Sequence, residues 1–318
     1  MSGKSRAEIN IDEIMIESGK FALVTAPHGA SLHGLVMESV NGLDEVITWY
    51  TGATNKVGGQ GDVLIPFPGR IANGVYHIGP ETFQLGINDK EGPNAIHGFV
   101  RGMDWSVGEQ SSENVTYSIT TGSSEVAGYP FALEVEVKYA VVSDGMTCSF
   151  NAKNVSTTAA PIAAGFHPYF TVGSSLIDSC VLELPMQRYL EVENLIPTGK
   201  IIEVAGTEFD FTKPRKIGQT RFNTCFASPI STEDSTTRIV LSNPESRRTV
   251  EVWMDKSFPY VVLYSGDPLP QSHRRKSLAI EPMTCAADGF NHSEWGNVMI
   301  EPGQSLSGSW GVRVRSTN

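Results

Sequence analysis

The chain is short of positive charge, of cysteine pairs, of long apolar runs and of helical periodicity, and each shortage narrows what it can be. Its 318 residues carry 24 Lys and Arg against 35 Asp and Glu, a formal net charge of −11. Nucleic acids and anionic membranes are bound chiefly through clustered positive charge, so neither is an expected partner. The same balance disfavours a strongly anionic substrate, although the run Arg274-Arg275-Lys276 is locally basic and reads most simply as a solvated loop. No stretch approaches the roughly 18–20 consecutive apolar residues of a membrane-spanning helix. Met1 to Asp12 mixes charged and small residues without the apolar centre of a secretory signal, and is expected to be a mobile start. Cys148, Cys180, Cys225 and Cys285 are irregularly spaced with no CxxC pair, which suits reduced thiols and a cytoplasmic location. The histidines lack the close spacing common in metal sites, and no amphipathic helix longer than two turns can be traced.

What the chain does have is short β-prone runs along its whole length. Leu133, Val135, Val137, Tyr139 and Val141 alternate with Glu134, Glu136 and Lys138, the pattern of a half-buried antiparallel strand. After a turn at Ser143-Asp144-Gly145, Met146, Cys148, Phe150 and Ala152 continue the period of two and predict a hairpin. Val250, Val252 and Met254 repeat the pattern, as do Trp310, Val312 and Val314, and Phe21 to Val24 with Ser31 to Met37 reads as an earlier hairpin. The 40% hydrophobic content is ordinary for a globular chain, and one of this length buries about 75% of its unfolded surface. With no linker or composition break, the expectation is an all-β fold, one large antiparallel sandwich spanning 1–318 as a single domain.

Four stretches carry residues suited to chemistry. In Gly165-Phe166-His167-Pro168-Tyr169-Phe170 a histidine lies between aromatics, and the following proline favours extended backbone at His167, as at a strand end. In Ile280-Glu281-Pro282-Met283-Thr284 a carboxylate is held in the same way after an apolar strand. Taken singly, His167 reads as a hydrogen-bonded core histidine and Glu281 as a capping or salt-bridging residue. Leu64 to Asn73 holds two prolines and a glycine, which rule out a regular helix and set Arg70 in a fixed direction. Gly92-Pro93-Asn94 is a turn signal, followed by His97 beside Gly98, a glycine that permits close approach of backbone or ligand.

Together, Pro66 to Asn73, His97-Gly98, Gly165 to Phe170, Leu195-Ile196-Pro197-Thr198-Gly199 and Ile280 to Thr284 resemble, in order and approximate spacing, the aldose 1-epimerase (galactose mutarotase) family. The resemblance runs from about residue 20 to the C-terminus. It implies a β-supersandwich with an open cleft, interconversion of the α and β anomers of an aldose, no cofactor or metal, and a small-molecule sugar as partner of a monomer or homodimer. By the same resemblance Glu281 is the base at the C1 hydroxyl, His167 the acid at the ring oxygen, His97 a second catalytic histidine near the acid, and Arg70 a sugar-binding residue. A carboxylate of ordinary pKa ~4.3 is ionised at neutral pH, and would favour the imidazolium of a neighbouring histidine. Where the family has a substrate-binding Asp, the Phe222 to Phe226 segment offers Asn223, which both donates and accepts. Two alternatives stand beside this: a metal-dependent β-sandwich enzyme with His97, His167 and Glu281 as ligands, and a non-catalytic sugar-binding relative. Phe226, Trp253 and Phe290 could offer a stacking face, although core packing is the commoner fate of such residues.

Overall fold

Alternation of large apolar and polar side chains builds the strands. In the computed structural model, which describes residues 12–316 apart from 41, 53–54, 231–233 and 297, Leu133–Val142 is a strand whose apolar set is buried, with Glu134 and Glu136 exposed. It pairs antiparallel with Gly145–Asn154 across a two-residue turn, and Phe21–Ala26 pairs with Ser31–Ser39, as the patterning predicts. Except for Asp12, the expected mobile start lies outside the described residues; the strand Ile14–Ser18, unforeseen in the sequence, follows it.

The fold is all-β, 49% strand and 4% helix. Among the described residues, one sheet has 10 strands in the spatial order Ile14–Ser18, Phe21–Ala26, Ser31–Ser39, Gly42–Ile47, Tyr169–Phe170, Leu278–Met283, Tyr260–Tyr264, Asn223–Pro229, Met186–Glu193 and Ile196–Glu203. A second, of 9 strands, includes Arg248–Met254, Ser305–Ser316, Gly145–Asn154 and Leu133–Val142 as consecutive neighbours. The paired strands of both are antiparallel. A shared core joins the two sheets: the Phe166 ring lies 5.5 Å from Trp310 and 5.8 Å from Phe150. The Tyr139 hydroxyl, from the second sheet, donates to the Ala30 carbonyl at 2.8 Å.

The period of two in the first sheet divides its residues between that core and a cleft. Val261 opposite Pro282, Leu263 opposite Ile280 and Phe226 opposite Val261 face the core. Cys225 opposite Val262, Val262 opposite Glu281, and Asn223 opposite Tyr264 take the other face. Glu281 was expected just beyond a strand; instead Leu278–Met283 runs through it and through Pro282. Regular pairing with Tyr169–Phe170 is confined to Leu278 and Ala279, so that ladder has ended before Pro282, whose carbonyl accepts the Phe166 N–H at 3.1 Å.

Two further expectations are settled by burial. Arg275 is buried rather than solvated: its guanidinium meets Asp178 at 2.7 Å and Asp267 at 3.3 Å, and donates to the Gly218 and Thr220 carbonyls. An arginine placed between two carboxylates and two carbonyls ties loops together. Phe226 and Phe290 are core residues and Trp253 packs beside Gly311; none of the three lines the cleft.

Candidate active site

His167 is fixed by its main chain before its side chain is considered. Its N–H donates to the Asp62 carbonyl at 3.1 Å, and its own carbonyl accepts the Gly61 N–H at 3.0 Å. Below the imidazole, 5.1 Å away and within 14° of parallel, lies the Tyr169 ring, whose hydroxyl donates to the Gly58 carbonyl at 2.6 Å. At Gly59, φ is +75° and a Cβ would come within 3.0 Å of His167 Cδ2 and 3.3 Å of Nε2. Glycine there leaves the reactive edge of the ring uncovered.

Glu281 reaches that edge from its strand, with Oε1 3.4 Å from His167 Nε2, and both side chains are nearly inaccessible. The second histidine arrives by another route. Arg70–Ile71 pairs with Ala95–Ile96, after which His97 takes a left-handed φ of 64° and turns its ring to 5.5 Å from His167, nearly perpendicular at 82°. The adjoining glycine, Gly98, is needed for backbone: a Cβ would stand 2.1 Å from the Ile65 carbonyl oxygen. His97 Nδ1 accepts the Gly69 N–H at 3.2 Å, which leaves the proton of a neutral ring on Nε2 as a donor. Burial, with the positive charge of nearby groups, holds His97 well below the ordinary histidine pKa.

Arg70 is held by carboxylates on two of its nitrogens, Nε to Asp89 at 2.7 Å and Nη2 to Glu91 at 2.8 Å. Its Nη1 has no hydrogen-bond partner among the described residues. Asn223 opens the strand Asn223–Pro229. All five residues singled out in the sequence line one cleft of about 520 Å³.

The shifts run against the carboxylate and imidazolium expected from the sequence. Burial raises the Glu281 carboxyl well above its ordinary value, with Arg70 opposing. Burial likewise lowers His167 to about 4, opposed by Asp62 and reinforced by Arg101 and Lys56. Desolvation of two inaccessible groups pushes each towards its neutral form, the carboxyl upward and the imidazole downward.

Sequence reasoning missed the groups behind His167. The Asp62 carboxylate, fully buried, accepts from Lys56 Nζ at 2.5 Å and from Arg101 Nη1 at 2.9 Å, and all three line the cleft. The available signal was the run Gly58-Gly59-Gln60-Gly61-Asp62, whose glycines mark backbone that must pass close to something. Among the described residues no three His, Cys, Asp or Glu are grouped as a metal-ligand set, including the trio His97, His167 and Glu281.

Comparison with known proteins bears on this arrangement. The family described as Aldose 1-epimerase matches residues 12–312. The chain belongs to the aldose 1-epimerase family. It is 32% identical over 232 residues to the uncharacterized protein YihR of Escherichia coli K12, covering 73% of this chain and 71% of that one. It is 29% identical over 303 residues to bovine galactose mutarotase, covering 88% and 85%. The fold matches that of the GalM/aldose epimerase homologue of Caenorhabditis elegans with a TM-score of 0.86 at 21% identity, over 96% and 99% of the two chains. This epimerase is therefore an isomerase with a galactose mutarotase-like architecture.

Proposed function

We propose that this epimerase interconverts the α and β anomers of an aldose by opening and reclosing the ring, with Glu281 as base at the C1 hydroxyl and His167 as acid at the ring oxygen. The observation that carries the proposal is the 3.4 Å approach of these two buried titratable groups at the floor of a sugar-sized cleft. Ring opening needs a proton to leave O1 while another reaches the ring oxygen. The aldehyde then rotates about C1–C2 and the ring recloses on its other face. Each positioned acid or base is worth about 10²- to 10⁴-fold in such a step.

The direction of these two shifts fits this chemistry. When Glu281 takes the O1 proton and His167 gives its own, the pair is left as a carboxylic acid beside a neutral imidazole, the form that burial favours. Desolvation therefore stabilises the protonation state that accompanies the open-chain aldehyde. The cyclic sugar requires the opposite form, carboxylate and imidazolium. Arg70 biases Glu281 towards ionisation and Asp62 biases His167 towards protonation, so both oppose burial in the needed direction. His97 Nε2 and Arg70 Nη1 are donors for sugar oxygens, and Asn223 adds an amide that donates and accepts. Four free, buried thiols support a reducing compartment such as the cytoplasm. A core drawing on both sheets supports treating the chain as one domain.

Polarimetry on freshly dissolved galactose, glucose and other aldoses, including their 6-phosphates, tests the assignment. At least one should mutarotate faster by roughly the factor expected of a positioned acid or base, 10² or more over buffer. Failure to accelerate any of them would overturn it.

A further inference from the structure

The floor of the cleft holds a tyrosine that the proposed chemistry does not use. Along Tyr260–Tyr264 the core takes Val261 and Leu263, while Val262 and the half-buried Tyr264 face the cleft. Tyr264 pairs with Ala279 on one side and with Asn223 on the other. Ala279 precedes Glu281 by two residues on the same strand, which makes Tyr264 and Glu281 diagonal neighbours on one face. Such pairs are about 7–8 Å apart, comparable to the distance across a pyranose between opposite hydroxyls.

The ring of Tyr264 is braced, and its hydroxyl is not. Ala279 also pairs with Tyr169, so the two tyrosines flank one small side chain and meet edge to face, with centroids 6.3 Å apart and planes at 82°. Tyr169 is the ring that lies under the His167 imidazole, which keys Tyr264 to the same stack. Tyr76, Tyr129, Tyr139 and Tyr169 each donate their hydroxyl to a backbone carbonyl. Among the described residues the Tyr264 hydroxyl has no hydrogen-bond partner. Burial, followed by the negative charge of Glu91, Asp267 and Glu281 and opposed by Arg70, pushes this phenol up to about 12. It therefore stays a hydroxyl that both donates and accepts. A fixed tyrosine that brings such a group to a polar cleft without a protein partner is placed to find that partner in the ligand.

We propose that Tyr264 is a further substrate-binding residue, its hydroxyl pairing with a sugar hydroxyl remote from C1 and its ring closing the cleft floor between Glu281 and Asn223. With C1 held at Glu281 and His167, the diagonal separation brings the phenol to the far edge of the sugar ring. The contact lies away from the bonds that break, so it acts on binding rather than on the proton transfers. A site that hydrogen-bonds one particular hydroxyl discriminates against aldoses that lack it.

This rests on the epimerase assignment, and the experiment separates the two. Anomer exchange is followed by NMR for the wild type and Tyr264→Phe, on the aldose that the wild type accelerates most and on each of its monodeoxy analogues. Phenylalanine keeps the ring against Tyr169 and removes only the hydroxyl. For the parent sugar, Tyr264→Phe should raise KM roughly fivefold, as for one neutral hydrogen bond lost, and change kcat by less than about twofold. The analogue that lacks the partner hydroxyl should be handled alike by both proteins. An unchanged KM, or the same loss on the parent and on every analogue, would overturn the contact and leave the epimerase standing. No acceleration of any aldose by the wild type would overturn both.

Discussion

At the scale of single residues the account turns on where one proton lies. His167 and Glu281 are 5% and 2% exposed, and burial moves their pKa values in opposite senses, His167 to about 4 and Glu281 upward. Protonating the pair a second time therefore means charging an imidazole that resists it until the pH is well below 6.5. The acid limb of kcat/KM should fall below that ordinary histidine value, with activity maintained from there to neutrality. An acid limb at 6.5 would contradict the assignment. Asp62→Asn removes the carboxylate that favours the imidazolium and leaves Lys56 and Arg101 opposing it, so the limb should move lower still and the plateau should drop. These groups also set the native stability. The unfolded chain binds more protons than the native one as His167 titrates, so stability falls as pH drops from 6.5 towards 4. For Glu281 the native state binds more, so stability falls as pH rises above 4.5.

At the scale of elements, local rules show through unevenly. The strands Leu133–Val142 and Gly145–Asn154 were legible because period-two alternation reports a sheet with one covered face. The strand Ile14–Ser18 was not: its alternation is weak, and much of its hold comes from elsewhere. Just before it, Glu13 Oε1 lies 2.6 Å from His33 Nδ1 and accepts the Gly52 N–H at 2.8 Å, with both side chains of the pair buried. Burial keeps His33 below its ordinary pKa, so it serves as a neutral donor to Glu13. Glu13→Ala should destabilise the fold by about 1–3 kcal/mol, since a buried ring N–H loses its acceptor. Urea unfolding measures this, and an unchanged midpoint would show that the clasp carries no stability. The proline signal misplaced Glu281, because Pro282 sits inside its strand rather than ending it. Arg275 was misread for a related reason: a run of three basic residues looks solvated, and only the folded loops reveal Asp178 and Asp267 beside it.

At the scale of the molecule, two antiparallel sheets share one core and the outer face of the larger sheet becomes a cleft. Motif order sufficed to gather Arg70, His97, His167, Asn223 and Glu281, because each motif marks backbone that can take only one course. Charge state and supporting groups did not follow from motifs, since desolvation depends on everything packed around a residue. Asp62 shows this plainly: 105 positions separate it from the histidine it influences, and only the folded Gly58 to Asp62 loop brings them together. The most direct test of the whole is anomer exchange of an accelerated aldose at neutral pH, followed by NMR for the wild type, His167→Asn and Glu281→Gln, with a thermal melt of each. Both variants should lose at least about 10²-fold in exchange. Glu281→Gln should melt at or above the wild-type temperature, because an amide replaces a carboxyl that burial penalises when ionised. A folded variant of either kind that retained wild-type exchange would contradict the acid–base pair.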